Sequence, residues 1–121
     1  MGTWGAGPFS NDNALDWLSE HITQPLIAEI EQFTTMENPA LESDLQIAYA
    51  ALGTLNVLKS ANIVPPEKDQ IHRWERAFLR CYDEQIEGLA GGDSPFAQAW
   101  RAAITQEFEA LKAWSQAFHR G

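Results

Sequence analysis

Residues 94–118 read SPFAQAWRAAITQEFEALKAWSQAF. Phe96, Trp100, Ile104, Phe108, Leu111, Trp114 and Phe118 recur there at steps of three and four. An α-helix turns once in about 3.6 residues, so these side chains share one face. Gln98, Arg101, Glu109, Lys112 and Gln116 fall on the other side. Asp93 or Ser94 is placed to accept the first free N–H groups, and Pro95 sits where its missing N–H costs nothing. The stretch is a long amphipathic helix, and its apolar face needs other elements to cover it.

Working towards the N-terminus, the same period recurs. Gly91-Gly92 stops a helix that opens at Glu67 and carries Ile71, Trp74, Phe78, Cys81 or Tyr82, and Ile86. On its surface Asp69 and Arg73, and Arg80 and Glu84, stand four residues apart as ion pairs. Val64-Pro65-Pro66 separates it from a helix that Ser43 or Asp44 starts and Asn62 ends, striped by Leu45, Ala48, Tyr49, Leu52, Leu55 and Leu58. Asn38-Pro39 marks another turn. Before it, Thr23 is the expected cap of a helix over 24–36, with Pro25 in its first turn and Leu26, Ile27, Ile30 and Phe33 inward. A first helix over 13–21, capped by Asn11 or Asp12, carries Leu15, Trp17 and Leu18. No strand-like alternation intervenes. The expected architecture is all-α: one domain over 1–121, a compact bundle of about five helices, with an extended glycine-rich arm over 1–11 packed on it.

Charge is distributed unevenly. The net charge is -9, yet residues 1–58 contain no Lys or Arg and hold eight acids: Asp12, Asp16, Glu20, Glu29, Glu31, Glu37, Glu42 and Asp44. Such a field repels nucleic-acid phosphates and anionic membranes and attracts a basic protein. The single cysteine, Cys81, lies among Phe78, Leu79 and Tyr82 and reads as a small buried apolar residue. The opening residues lack the basic start and apolar run of a secretion signal, and no stretch approaches the roughly 18 apolar residues of a membrane span. The expected location is the cytoplasm.

Motifs for chemistry are sparse. His21, His72 and His119 are far apart, with no metal-binding pair at helical spacing. Asp12, Asp16 and Glu20 follow one another at four-residue steps and read as a solvated helix face. Gly5-x-Gly7 has neither the strand nor the third glycine of a dinucleotide loop. No nucleophile elbow is present. The expectation is no catalytic residue, no metal and no cofactor. Trp17, Trp74, Trp100 and Trp114 all fit helix stripes and are expected in the core.

The opening Trp4-Gly5-Ala6-Gly7-Pro8-Phe9-Ser10-Asn11-Asp12-Asn13-Ala14-Leu15-Asp16-Trp17-Leu18 is the most distinctive stretch. It resembles the start of the domain of unknown function 4259 family, whose members open with Trp-Gly-x-Gly-Pro-Phe-x-Asn-Asp-x-Ala-x-Asp-Trp/Phe. The Ser94-to-Trp100 stretch is similar to a later element of that family. The resemblance implies a small helical bacterial protein and assigns no activity. Physically, the motif reads as a plug: Trp4 and Phe9 pack down, Gly5 and Gly7 permit tight turns, Asn11 and Asp12 cap the helix that Trp17 anchors, and Asp16 holds N–H groups of the arm. The competing reading makes Trp4, Gly5, Gly7, Phe9, Asn11, Asp12, Asp16 and Trp17 a recognition site.

Three functions are compatible with these residues. The leading one is a non-enzymatic interaction module, immunity-protein-like or antitoxin-like, whose acidic half meets a basic protein. A second is a small-molecule-binding or hydrolase-like domain in which Asp12, Asp16, Glu20 and His21 converge. A third is a homodimeric subunit.

Overall fold

The computed structural model describes residues 5–119. Four helices follow in order: α1 over 12–35, α2 over 41–61, α3 over Lys68–Ala90 and α4 over Pro95–His119. There is no strand among the described residues. The expected first and second helices are thus one continuous helix, and the count is four rather than five.

The reason lies in the residues before Pro25. Thr23 has helical backbone angles (φ -65, ψ -49) and makes no capping hydrogen bond. The chain instead opens into a π turn, Ser19–Thr23, in which the Gln24 N–H reaches back five residues to the Ser19 carbonyl. Proline has no N–H for the ordinary bond, and its ring crowds the carbonyl four residues before. The wider turn lets the helix pass Pro25 without ending. Thr23, within this turn, is buried, and its hydroxyl has no hydrogen-bond partner among the described residues.

Helix α2 likewise begins earlier than Ser43, in a π turn Leu41–Leu45 closed by the Leu45 N–H on the Ala40 carbonyl at 3.0 Å. Asp44 still serves the start: its carboxylate accepts the Ala40 N–H at 2.8 Å. At the other end a 3-10 turn, Leu58–Ala61, leads to Asn62 in the left-handed region (φ 61), which stops the helix. Gly91, at φ 78, ends α3. Ser94 caps α4, its Oγ accepting the Ala97 N–H at 3.1 Å.

Short turns fold α1 on α2 and α3 on α4 as two helical hairpins. The hairpins then pack α1 against α3 and α2 against α4. The main core draws on all four helices, with Ile30 and Phe33, Leu45 and Leu52, Trp74 and Phe78, and Ile104 and Phe108 all buried. Three phenyl rings cross it edge to face: Phe33 on Phe78 at 4.9 Å, and Phe78 on Phe108 at 5.0 Å. A smaller cluster lies apart, where Leu18 of α1 meets Ala61 and Ile63, with Leu15, Ile22, Leu58 and Trp114 around it. Leu15, Leu18 and Ile22 of α1, up to and within the π turn, serve this cluster, and Leu26, Ile27, Ile30 and Phe33 beyond it serve the main core.

The turn between α1 and α2 is fixed by α3. Gln85 accepts the Leu41 N–H at 2.9 Å through Oε1 and donates to the Pro39 carbonyl at 2.6 Å through Nε2. No described helix is long and apolar enough to cross a membrane.

Candidate functional site

The site begins where the arm enters α1. The Ser10 N–H donates to the Gly7 carbonyl at 3.2 Å and closes a turn. The turn is tight: a Cβ on Gly5 would lie 3.2 Å from the Ser10 side chain, and one on Gly7 would lie 3.1 Å from it. Asn11 is extended (φ -155, ψ 155), and its Oδ1 accepts the Ala14 N–H at 2.8 Å. Asn11 is therefore the cap, and Asp12 occupies the first helical position, where a carboxylate meets the positive end of the helix dipole.

The plug expectation is not met by the described residues. Gly5, Ala6, Gly7, Pro8 and Phe9 are all exposed. Trp4 lies outside the described residues. Trp17, expected in the core, is 54% exposed. Leu18 takes the inward place in this turn, and one residue along a helix is a rotation of about 100°, which carries Trp17 out of the packed face. The indole stacks instead on His21, with ring centres 5.7 Å apart and planes tilted by 36°. No hydrogen bond joins Asp16 to the arm among the described residues.

Asp12, Asp16, Glu20 and His21 are all exposed at the surface. A catalytic or small-molecule site built on them needs a shared pocket, and the geometry does not gather them into one. No group of three or more His, Cys, Asp or Glu side chains is placed to hold a metal ion among the described residues. The motif residues are instead largely exposed: an arm turn, a capped helix start, an exposed indole and the carboxylates of Asp12 and Asp16.

The charge of residues 1–58 is little compensated. Among the acids of residues 1–58, Glu31 is paired with a described cation, Arg73 at 2.6 Å, and Glu20 lies 3.9 Å from His21. The other six have no ion pair among the described residues. Two cations of the second half, Arg101 and Lys112, pair with acids of their own hairpin. Arg101 grips Asp83 with two hydrogen bonds, at 2.9 and 3.0 Å, and this holds the Asp83 carboxyl below its usual range. Lys112 bonds Glu75 at 2.8 Å and Glu109 at 3.2 Å. The surface pairs expected between Asp69 and Arg73 and between Arg80 and Glu84 do not form. Arg73 turns to Glu31 of α1, a partner that four-residue spacing could not reveal.

Two clefts lie on the α3–α4 hairpin. One, of about 820 Å³, runs beside Tyr82, Asp83, Glu87 and Arg101. The other, of about 770 Å³, lies between His72 and His119 and is bordered by Lys112 and Glu109. A smaller one, of about 310 Å³, reaches Cys81 beneath the α1–α2 turn. Cys81 is buried as expected, and burial, with Glu84 and Asp44 nearby, pushes its thiol up to about 11. Such a thiol stays protonated near neutrality and is a weak nucleophile.

The match to known families is not confined to the opening motif. The family described as "Domain of unknown function (DUF4259)" matches residues 2–117, which include all of α1, α2 and α3 and nearly all of α4. The chain belongs to the DUF4259 family. The capped helix start, the first hairpin and nearly all of the second therefore fall within the DUF4259 match. No curated protein and no solved structure matches the chain.

Proposed function

We propose that this DUF4259 protein is a non-enzymatic interaction module of the cytoplasm whose α1–α2 face docks a cationic partner protein. The observation that supports this reading is the uncompensated charge of that face. Six of the eight acids of residues 1–58 have no ion pair among the described residues, and α1 and α2 together carry one Lys, Lys59, and no Arg. A field of one sign steers an oppositely charged protein into encounter, and it weakens as salt screens it. One concrete form is an immunity-like or antitoxin-like protein that covers a basic effector.

Affinity capture from native lysate, at low and at high salt, tests this. One stoichiometric basic protein, lost at high salt and lost with Glu29→Lys, Glu37→Lys and Glu42→Lys together, is the expected result. A partner retained by the charge-reversed protein at high salt would refute it. The homodimer is a second reading, supported by two large apolar side chains near the α3–α4 turn, Leu89 at 44% and Phe96 at 62% exposed. Light scattering of the purified protein decides it, a monomeric mass ruling it out.

A further inference from the structure

Trp17 is the most distinctive exposed group of the acidic face. An indole left 54% in solvent forgoes much of the burial that usually holds a tryptophan in a core. Its ring lies against that of His21, with centres 5.7 Å apart and planes tilted by 36°. Asp16 directly precedes Trp17 in the chain and Glu20 follows about one turn on, and both carboxylates are exposed.

We propose that this face receives an arginine or lysine side chain of a partner protein, laid on the Trp17 indole with its charge shared by the carboxylates of Asp16 and Glu20. The inference rests on the interaction reading above, which concerns only the sign of the α1–α2 field. It adds the point of contact and the side chain that is recognised.

The occupant follows from charge complementarity. The face of an indole carries negative potential and attracts a cation, and the flanking carboxylates attract the same charge. A purely apolar occupant would strip water from those carboxylates and give nothing back. A second copy placed symmetrically would bring acid against acid, and a nucleic acid would bring phosphate against acid. Arginine fits better than lysine, because its planar guanidinium stacks on a ring while its N–H fork reaches a carboxylate.

The test uses the full chain and three octapeptide probes, one rich in arginine, one in lysine and one in glutamate. Binding is followed by calorimetry at low and high salt. The arginine probe binds tightest, the lysine probe more weakly and the glutamate probe not at all. Trp17→Ala weakens the arginine probe about tenfold, and Trp17→Phe keeps part of the affinity. Asp16→Asn with Glu20→Gln weakens it similarly and flattens its salt dependence. Asp93→Asn, an exposed acid of the α3–α4 turn, changes nothing. Trp17 and both acids are exposed, so the variants keep their helix content, which circular dichroism verifies. Absence of cationic binding, or wild-type binding by Trp17→Ala, would overturn the inference. Binding that survives Trp17→Ala but is lost with the Glu29, Glu37 and Glu42 reversals would leave the charge-based reading standing and remove only the Trp17 contact.

Discussion

The indole N–H of Trp74 donates to Oε1 of Glu31 at 2.9 Å, and that oxygen also accepts Gln70 at 2.7 Å and Arg73 at 2.6 Å. One carboxylate of α1 thus satisfies a fully buried tryptophan of α3 and ties the two helices together. Glu31→Ala leaves the indole N–H buried without a partner, a change expected to cost about 1–3 kcal/mol. Glu31→Gln keeps an acceptor and should cost less. Urea unfolding of both variants checks the order.

The same carboxylate makes stability depend on acidity. Burial pushes the Glu31 carboxyl up, but the hydrogen bonds from Gln70 and Trp74 and the charge of Arg73 outweigh it, and the net shift is downward. A carboxyl lowered in the fold stabilises above its unfolded value and loses that contribution as pH falls through the folded one. Thermal stability should therefore decline below about pH 4.5, the ordinary value for this group. In Glu31→Gln that part of the decline should be absent. An unchanged acid profile would show that other carboxyls carry it.

Two tryptophans should respond oppositely to truncation. Trp74 is fully buried, so Trp74→Ala removes a large core side chain and should cost about 3–5 kcal/mol. Trp17 stands in solvent, so Trp17→Ala should cost less than about 1 kcal/mol. A loss at Trp17 equal to that at Trp74 would mean that the indole is anchored in the core.

Cys81 should be silent to thiol reagents until the protein opens. With its thiol raised to about 11, labelling at pH 8 should follow the unfolded fraction across a urea titration. A thiol raised by folding also makes stability fall as pH rises from the ordinary value of 9.0, because the unfolded chain then loses its proton first. Cys81→Ala should lessen that alkaline loss.

The π turn of α1 can be tested by deletion. Removing Glu20 takes out the extra residue and leaves 12–18 facing the same cluster, but it returns the Pro25 ring to the carbonyl four residues before it. The deletion alone should destabilise the protein. Combined with Pro25→Ala it should be much milder, and a double-mutant cycle by urea unfolding measures the difference. Additivity would show that Pro25 is not the cause of the wide turn.

Much of the core was legible because its signal is local. The α3 stripe from Ile71 through Ile86 is buried throughout, and in α4 Ile104, Phe108 and Leu111 are buried while Phe96 and Phe118 at the ends are exposed. Helix number was misread because Thr23-Gln-Pro25 resembles a cap and a first-turn proline. Only the carbonyl positions distinguish a new helix from a widened turn. Trp17 was misplaced because residue type suggested burial while Leu18, beside it, held the inward position. The acid face was visible as composition, but its lack of partners was not, since Arg73, Arg101 and Lys112 choose acids by tertiary proximity. The partners of Glu31 lie 39 to 43 residues away.

Gln85 carries a consequence for how the chain assembles. Its amide completes the bend between the first two helices from a position 44 to 46 residues downstream. A ribosome or a refolding chain can form α1 and α2 early, yet their junction stays unfinished until the third helix arrives. Closing so wide a loop is slow compared with helix growth. The two hairpins are therefore not autonomous halves joined at the end. The second supplies a missing piece of the first, and the first does not reach its final shape by itself.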